Sequence, residues 1–234
     1  SLGLEEETVG ITKFCIHPQE MFKQIPKVGG TKQLKMDVIR GLSPDLIIGN
    51  REENEKHQIE QLMGEFPVWM SDIYTLADAL DMIESVGTIT DREQRVQELM
   101  KEISRGFDTL RQEVGGSRTP RIAYLIWKDP YMVAADDTFI NEMLSAAGWE
   151  NALGEHSRYP VISPGQLSRA CRDIIFLSSE PFPFSEKHLP EFEALCPSAT
   201  VMVVDGELFS WYGSRLKQTP EYLIQLKRAV NQYK

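Results

Sequence analysis

Cysteine is scarce in this chain: Cys15, Cys171 and Cys196 are the only three in 234 residues. They stand far apart, without a CxxC pair and without a histidine at zinc-finger spacing, which excludes a disulfide framework and a structural zinc site. Clusters of positive charge are missing as well. The net charge is −10 and no run of Lys or Arg exceeds a few residues, so a phosphate backbone has no electrostatic footprint here and nucleic acid is excluded as a partner. No apolar run approaches the ~20 residues that span a bilayer. The N-terminus has neither the basic nor the apolar region of a signal peptide, so a targeting segment of an exported form would lie upstream.

Catalytic signatures are lacking too. There is no GxSxG elbow, no GxxxxGKS/T phosphate loop and no GxGxxG after a strand, and Gly29-Gly30 and Gly115-Gly116 read as turns. His17, His57, His156 and His188 fall in separate segments, without an HxH or HExxH pattern. His17 and His156, in loops, are the two open to a metal or a haem iron. The expectation is a protein that is not an enzyme, with no catalytic residue, no metal site and no cofactor of its own.

What the chain does have is a long amphipathic helix between two α/β segments. From about Asp91 to Val114, Val96, Leu99, Met100, Ile103, Phe107, Leu110 and Val114 recur at spacings of three and four, laying one apolar stripe on a charged rod. At 1.5 Å per residue the rod is about 35 Å long. Gly115-Gly116-Ser117 stops it. Ahead of it, the pattern predicts strands at Thr8 to Thr12, Asp45 to Gly49 and Pro67 to Met70, and helices near Leu34 to Leu42, Glu55 to Glu65 and Leu76 to Val86. Behind it, strands are expected at Arg121 to Trp127, Asp173 to Ser178 and Ala199 to Val204. Helices are expected near Asp137 to Ala147, Pro164 to Ala170, Ser185 to Leu195 and Pro220 to Gln232. Asp136, Asp137 or Thr138 caps the first of these.

Such alternation implies parallel sheets with helices on their faces. The fold class is therefore α/β, with two Rossmann-like lobes: residues 1–88, a helical linker over 89–118, and residues 119–234. The runs PDLIIGN and RDIIFLSS, each behind a short amphipathic helix, occupy equivalent places in the two lobes. A rigid strut between lobes leaves a cleft, where a ligand is expected.

In open α/β sheets, ligands sit at the carboxyl ends of the strands. The residues just past each strand are then the candidates: Phe14 and His17, then Asn50 and Arg51, then Trp127, Lys128, Tyr131 and Met132, and last Phe209, Trp211, Tyr212 and Arg215. Aromatic faces with a few cations and amides suit a large, flat, partly apolar ligand carrying polar groups on its rim. Glu52 and Glu53 read as a solvated helix start.

Taken together, VGITKFCIHP, KVGGTKQLKMDVIRGLSPDLIIGN, the strut, YLIWKDPYMVAADDTFINEMLSAAGWENAL and WYGSR resemble the periplasmic solute-binding proteins of ABC importers for cobalamin, haem and ferric siderophores. The resemblance covers nearly the whole chain. It implies a periplasmic protein, free or lipid-anchored, that captures a small molecule between two lobes and docks on a permease in the inner membrane. Two departures stand out. Family members open with one more strand and helix, which this chain lacks at Ser1-Leu2-Gly3. The family's two acidic docking residues map to Asp37 and to Gly165, which has no charge, with Glu180 nearby as its substitute.

The reading is a binding protein for a corrinoid, with a ferric siderophore or haem as the near alternative. Phe14 stands where an aromatic is expected, while Thr31 and Asn50 replace others. The chain is expected to be a monomer, with an exposed sheet edge as the route to a dimer. A metal-dependent enzyme on the same plan and a scaffold that no longer transports are the alternatives from other classes.

Overall fold

A computed structural model describes residues 1–113 and 119–232. The expected end of the long helix at Val114 and its Gly115-Gly116-Ser117 stop lie outside the described residues. The chain packs as two compact units, Ser1–Asp72 and Ile73–Lys234. The division falls ahead of the boundary expected at residue 88, and the long helix belongs with the second unit.

In the first unit, α1 (Gln19–Gln24) precedes a short antiparallel pair, β1 (Gly29–Gly30) and β2 (Gln33–Leu34). Then follow α2 (Met36–Leu42), β3 (Ile47–Asn50), α3 (Lys56–Met63) and β4 (Val68–Ser71). β3 and β4 pair in parallel, Ile47 opposite Val68 and Asn50 opposite Ser71, with α3 as the crossover helix. The core is small: Ile39, Ile59 and Leu62 are buried, with Val28, Leu34, Met36, Ile47, Phe66, Val68 and Met70 packed around them. Thr8 to Thr12, expected as a strand, makes only a single bridge, Ile11 to Lys27. DLIIG is a strand as expected but not a buried one, since Ile48 is 49% exposed.

The second unit opens with α4 (Leu76–Ile89), whose N-terminus is closed reciprocally by the Thr75 hydroxyl and the Asp78 carboxylate. α5 (Glu93–Glu113) is the long helix. Its stripe of Val96, Leu99, Ile103, Phe107 and Leu110 is buried, and its neighbours include α4 and the C-terminal helix. β5 (Arg121–Trp127), β6 (Met132–Ala134), α6 (Phe139–Ala146) and β7 (Glu150–Asn151) follow. After them come α7 (Pro164–Ala170), β8 (Ile174–Ser178), a 3-10 turn at Glu186–His188, α8 (Leu189–Leu195) and β9 (Thr200–Val204). The chain closes with α9 (Glu207–Ser210), a second 3-10 turn at Ser214–Lys217, and α10 (Thr219–Gln232).

The sheet order is β6-β5-β8-β9, with β7 also paired to β5. β5, β7, β8 and β9 are parallel, and only β6 runs antiparallel, so the sheet expected to be parallel is mixed at one edge. Both faces are covered. Ala123, Leu125, Ile175 and Leu177 join Leu167, Phe184 and Phe192 on one side. On alternate positions, Tyr124 and Phe176 meet Phe209, Trp149 and Tyr222 in an aromatic layer with centroid separations from 4.9 to 6.4 Å. That alternation is the period of two that a strand imposes on its side chains.

Candidate functional site

The carboxyl ends of β5, β8 and β9 release the loops that carry most of the candidate residues. β9 ends at Val204, and Asp205-Gly206 turn the chain into α9. The turn is tight: a β-carbon at Gly206 would stand 2.6 Å from Glu180 Cγ and closer still to Ser178 Oγ. Only glycine lets these two loops touch. At the contact, Glu180 Oε1 accepts hydrogen bonds from the Trp211 indole Nε1 at 2.7 Å and from Ser210 Oγ at 2.9 Å. The Arg215 guanidinium lies over the same indole, 5.6 Å from the ring centroid, and pairs with Glu207 at 2.8 Å. Its Nε is buried and has no hydrogen-bond partner among the described residues.

Burial pushes the Glu180 carboxyl above the usual carboxylate range, and the nearby Glu207 and Asp205 push the same way against the hydrogen bonds from Ser210 and Trp211. Beneath it, the fully buried Tyr124 donates to Ser178 Oγ at 3.1 Å, and Ser178 Oγ donates to the Glu180 carbonyl at 2.5 Å. Tyr222 accepts from the Asp205 amide at 2.8 Å.

A second group forms where β5 ends. Trp127 is 39% exposed and meets Phe182 edge-on at 5.6 Å. Tyr131 donates to Glu191 Oε1 at 2.5 Å, and Lys128 pairs with the other oxygen of that carboxylate. Burial works against the Glu191 carboxylate, but the bonds from Lys128 and Tyr131 outweigh it and hold its pKa below the usual value. Burial, and then Glu191, push the Tyr131 phenol well up. Met132 is half-buried, and Tyr212 is half-buried edge-on to Phe139 at 5.5 Å. The loop after β8 touches both groups, through Glu180 on one side and Phe182 on the other.

In the first unit the candidates lie on separate segments, with Asn50 and Arg51 at the end of β3. Phe14 is 52% exposed, with Lys13 Nζ 4.9 Å from its ring centroid, and lies against Gly30. The next residue, Thr31, reaches Glu53 at 3.3 Å. His17 is exposed, and Arg51 is exposed and paired with Asp72 at 3.1 Å. Asp37 stands fully exposed in the first turn of α2, 3.2 Å from Arg40.

Three expected roles need correction. Phe209 is fully buried in the aromatic layer and presents nothing to a ligand. The Asn50 side chain is spent locally: its oxygen accepts from the amides of Glu52 and Glu53, and its nitrogen donates to Ser71 Oγ at 3.1 Å. That is an Asx turn closing the strand end. Glu180 is half-buried, and its carboxylate is committed to Trp211 and Ser210 instead of being held out to a docking partner. In the loop after β8, Glu180 was singled out but Phe182 was not. The PFPF sequence of this loop begins three residues past the strand end, and the rule that picked the other loops would have found Phe182. Among the described residues, no three His, Cys, Asp or Glu side chains are arranged to hold a metal ion.

At the carboxyl edge of the sheet, a half-buried indole thus lies beside a guanidinium, with one carboxylate oxygen on its N–H. The chain belongs to the family of periplasmic binding proteins, whose profile matches residues 1–192. A vitamin B12-binding protein of Vibrio parahaemolyticus is 23% identical over 178 residues, 75% of this chain, and the match spans 64% of that relative's length. Among solved structures, the periplasmic haem-binding protein RhuT of Roseiflexus sp. RS-1 superposes with a TM-score of 0.85 at 21% identity, over 99% of this chain and 92% of that one. The periplasmic vitamin B12-binding protein BtuF of Vibrio cholerae gives 0.83 at 18% identity, over the same shares. At these identities the two structures speak for the fold.

Proposed function

We propose that this chain is the solute-binding component of an ABC importer, that it takes a corrinoid ligand in the periplasm, and that it passes the ligand to a permease in the inner membrane. The observation that carries this reading is the Trp211–Arg215 stack at the strand ends of a chain in the periplasmic binding protein family. The indole offers a rigid apolar face with little rotamer entropy to lose. The half-buried Arg215 guanidinium, with five N–H donors and one carboxylate partner in Glu207, offers donors to amide or carboxylate groups on a ligand's rim.

Trp127, Tyr131, Met132 and Tyr212 extend the ligand face of the second unit, and Phe14, His17 and Arg51 are candidate ligand residues on the first unit taken by itself. Asp37, exposed at a helix start, is the docking carboxylate. The corrinoid is favoured by the relatives named vitamin B12-binding proteins. Haem is the second reading, favoured by the likeness to the Roseiflexus haem-binding protein.

A tryptophan-fluorescence titration with cyanocobalamin, haemin and a ferric hydroxamate siderophore, corrected for ligand absorption, tests the reading. Saturable quenching by cyanocobalamin at micromolar concentration or below is expected. Saturation by haemin or the siderophore alone would replace the corrinoid, and flat responses to all three would overturn the binding role.

A further inference from the structure

We propose that Glu180 is a positioning residue for the ligand face: its carboxylate fixes the Trp211 indole, with Arg215 beside it, in the orientation that meets a ligand. The inference rests on Trp211 being a ligand contact, as proposed above.

The geometry carries it. A half-buried tryptophan in a loop has two side-chain torsions to settle, and an acceptor on its only polar atom settles both. Glu180 Oε1 takes the indole hydrogen bond at 2.7 Å and also the hydroxyl of Ser210, the residue just before the tryptophan. One oxygen thus takes the ring N–H of Trp211 and lies within reach of the side-chain hydroxyl of the residue before it, a hydroxyl that the Gly206 carbonyl also meets at 2.9 Å. The residue that carries this oxygen is itself held in place. The Glu180 carbonyl is anchored through Ser178 to the buried Tyr124, and Gly206 admits the Glu180 side chain into a space no other residue would leave open.

The charges around it are arranged to leave Glu180 to the indole. From the loop after β9 and from α9, Asp205 and Glu207 face the carboxylate. Arg215, from the turn beyond, gives its charge to Glu207. From β5 and α10 come the phenols of Tyr124 and Tyr222, both buried, each with its pKa raised by that burial. An ionised Glu180 makes a charge-assisted bond to the indole, stronger than the bond a protonated carboxyl makes. Burial places that proton uptake above the ordinary carboxylate range. The indole is therefore gripped most firmly while the carboxylate is ionised and is loosened as it takes up its proton.

The test is an indole spectrum of the full chain labelled with 15N-tryptophan, which gives four indole resonances, that of Trp211 assigned by Trp211→Phe. The Trp211 resonance is expected to shift with pH at a midpoint above the ~4.3 of a free glutamate, and Glu180→Gln is expected to abolish the titration. Affinity for cyanocobalamin or haemin, whichever the wild type binds, is expected to fall about tenfold in Glu180→Ala. Glu180→Gln keeps an acceptor in place and should recover most of that loss. A Trp211 resonance indifferent to pH and to Glu180→Gln would overturn the inference, as would wild-type affinity in a folded Glu180→Ala. If no probe binds the wild type, the proposed function fails, and the indole titration still decides whether Glu180 grips Trp211.

Discussion

The runs PDLIIGN and RDIIFLSS are alike on paper, yet they end in different surroundings. β8, from the second run, lies between β5 and β9 in a five-stranded sheet, and every residue from Ile174 to Ser178 is buried. β3, from the first, has β4 as its one partner among the described residues, and none of its four residues is fully buried. Each run follows a short helix and each forms a parallel strand. The difference lies in the number of strands and helices that reach its two faces. Apolar content therefore reports that a strand forms, while burial is decided by neighbours far away in the sequence.

The widest contrast should come from cutting into each strand. Phe176→Ala removes a side chain that packs against Tyr124, Trp149 and Phe209, and should cost about 3 to 5 kcal/mol. Ile48→Ala, at a side chain 49% exposed, should cost less than about 1 kcal/mol. Denaturant unfolding followed by hydrogen exchange of the two strands checks both, and equal losses would break the comparison.

Glycines sharpen it next. A methyl at Gly206 collides with Glu180 and Ser178, and Gly206→Ala should cost about 1 to 3 kcal/mol. Nothing lies within 4 Å of a methyl at Gly41, inside α2. Gly41→Ala should therefore stabilise by up to about 1 kcal/mol through helix propensity. Thermal melts of the two variants give the signs directly.

The smallest effect is a difference in pH dependence. Glu65 in the first unit is bonded in fork geometry to Arg40, at 2.7 and 2.8 Å, and its pKa is lowered. Its contribution is present above the unfolded-state value and is lost as pH falls through the folded one. Glu180 has the opposite sign. With its folded pKa raised, its contribution is full below the unfolded value and is lost as pH rises through the folded one. Stability profiles of Glu65→Gln and Glu180→Gln against wild type, between about pH 3 and pH 7, should bend in opposite directions. Glu65 is exposed, so salt should flatten its profile first.

Strands and helices with strong local signals were legible in the sequence. β5 and α7 begin and end where expected, and the helix start expected at Asp136 to Thr138 is capped by Thr138, whose hydroxyl accepts from the Asn141 amide. β6 and β7 were not legible, since each is only two or three residues long and forms by pairing with β5. Of the candidate site, the strand-end rule located Trp127, Tyr131, Trp211 and Arg215 at the carboxyl edge. It failed at Phe209 because α9 turns that ring inward, and at Asn50 because a polar side chain after a strand can serve its own turn as readily as a ligand. The partnership of Glu180 with Trp211 joins residues 31 apart in sequence through a contact only Gly206 permits, and no local pattern announces it.

The most direct test of a ligand face at this edge is the affinity of wild type and Trp211→Ala for cyanocobalamin and haemin, measured by calorimetry so that loss of the reporter does not matter. The account predicts that the probe bound by wild type binds Trp211→Ala more weakly by about 2 kcal/mol or more, roughly thirtyfold. A folded Trp211→Ala protein with unchanged affinity would contradict it.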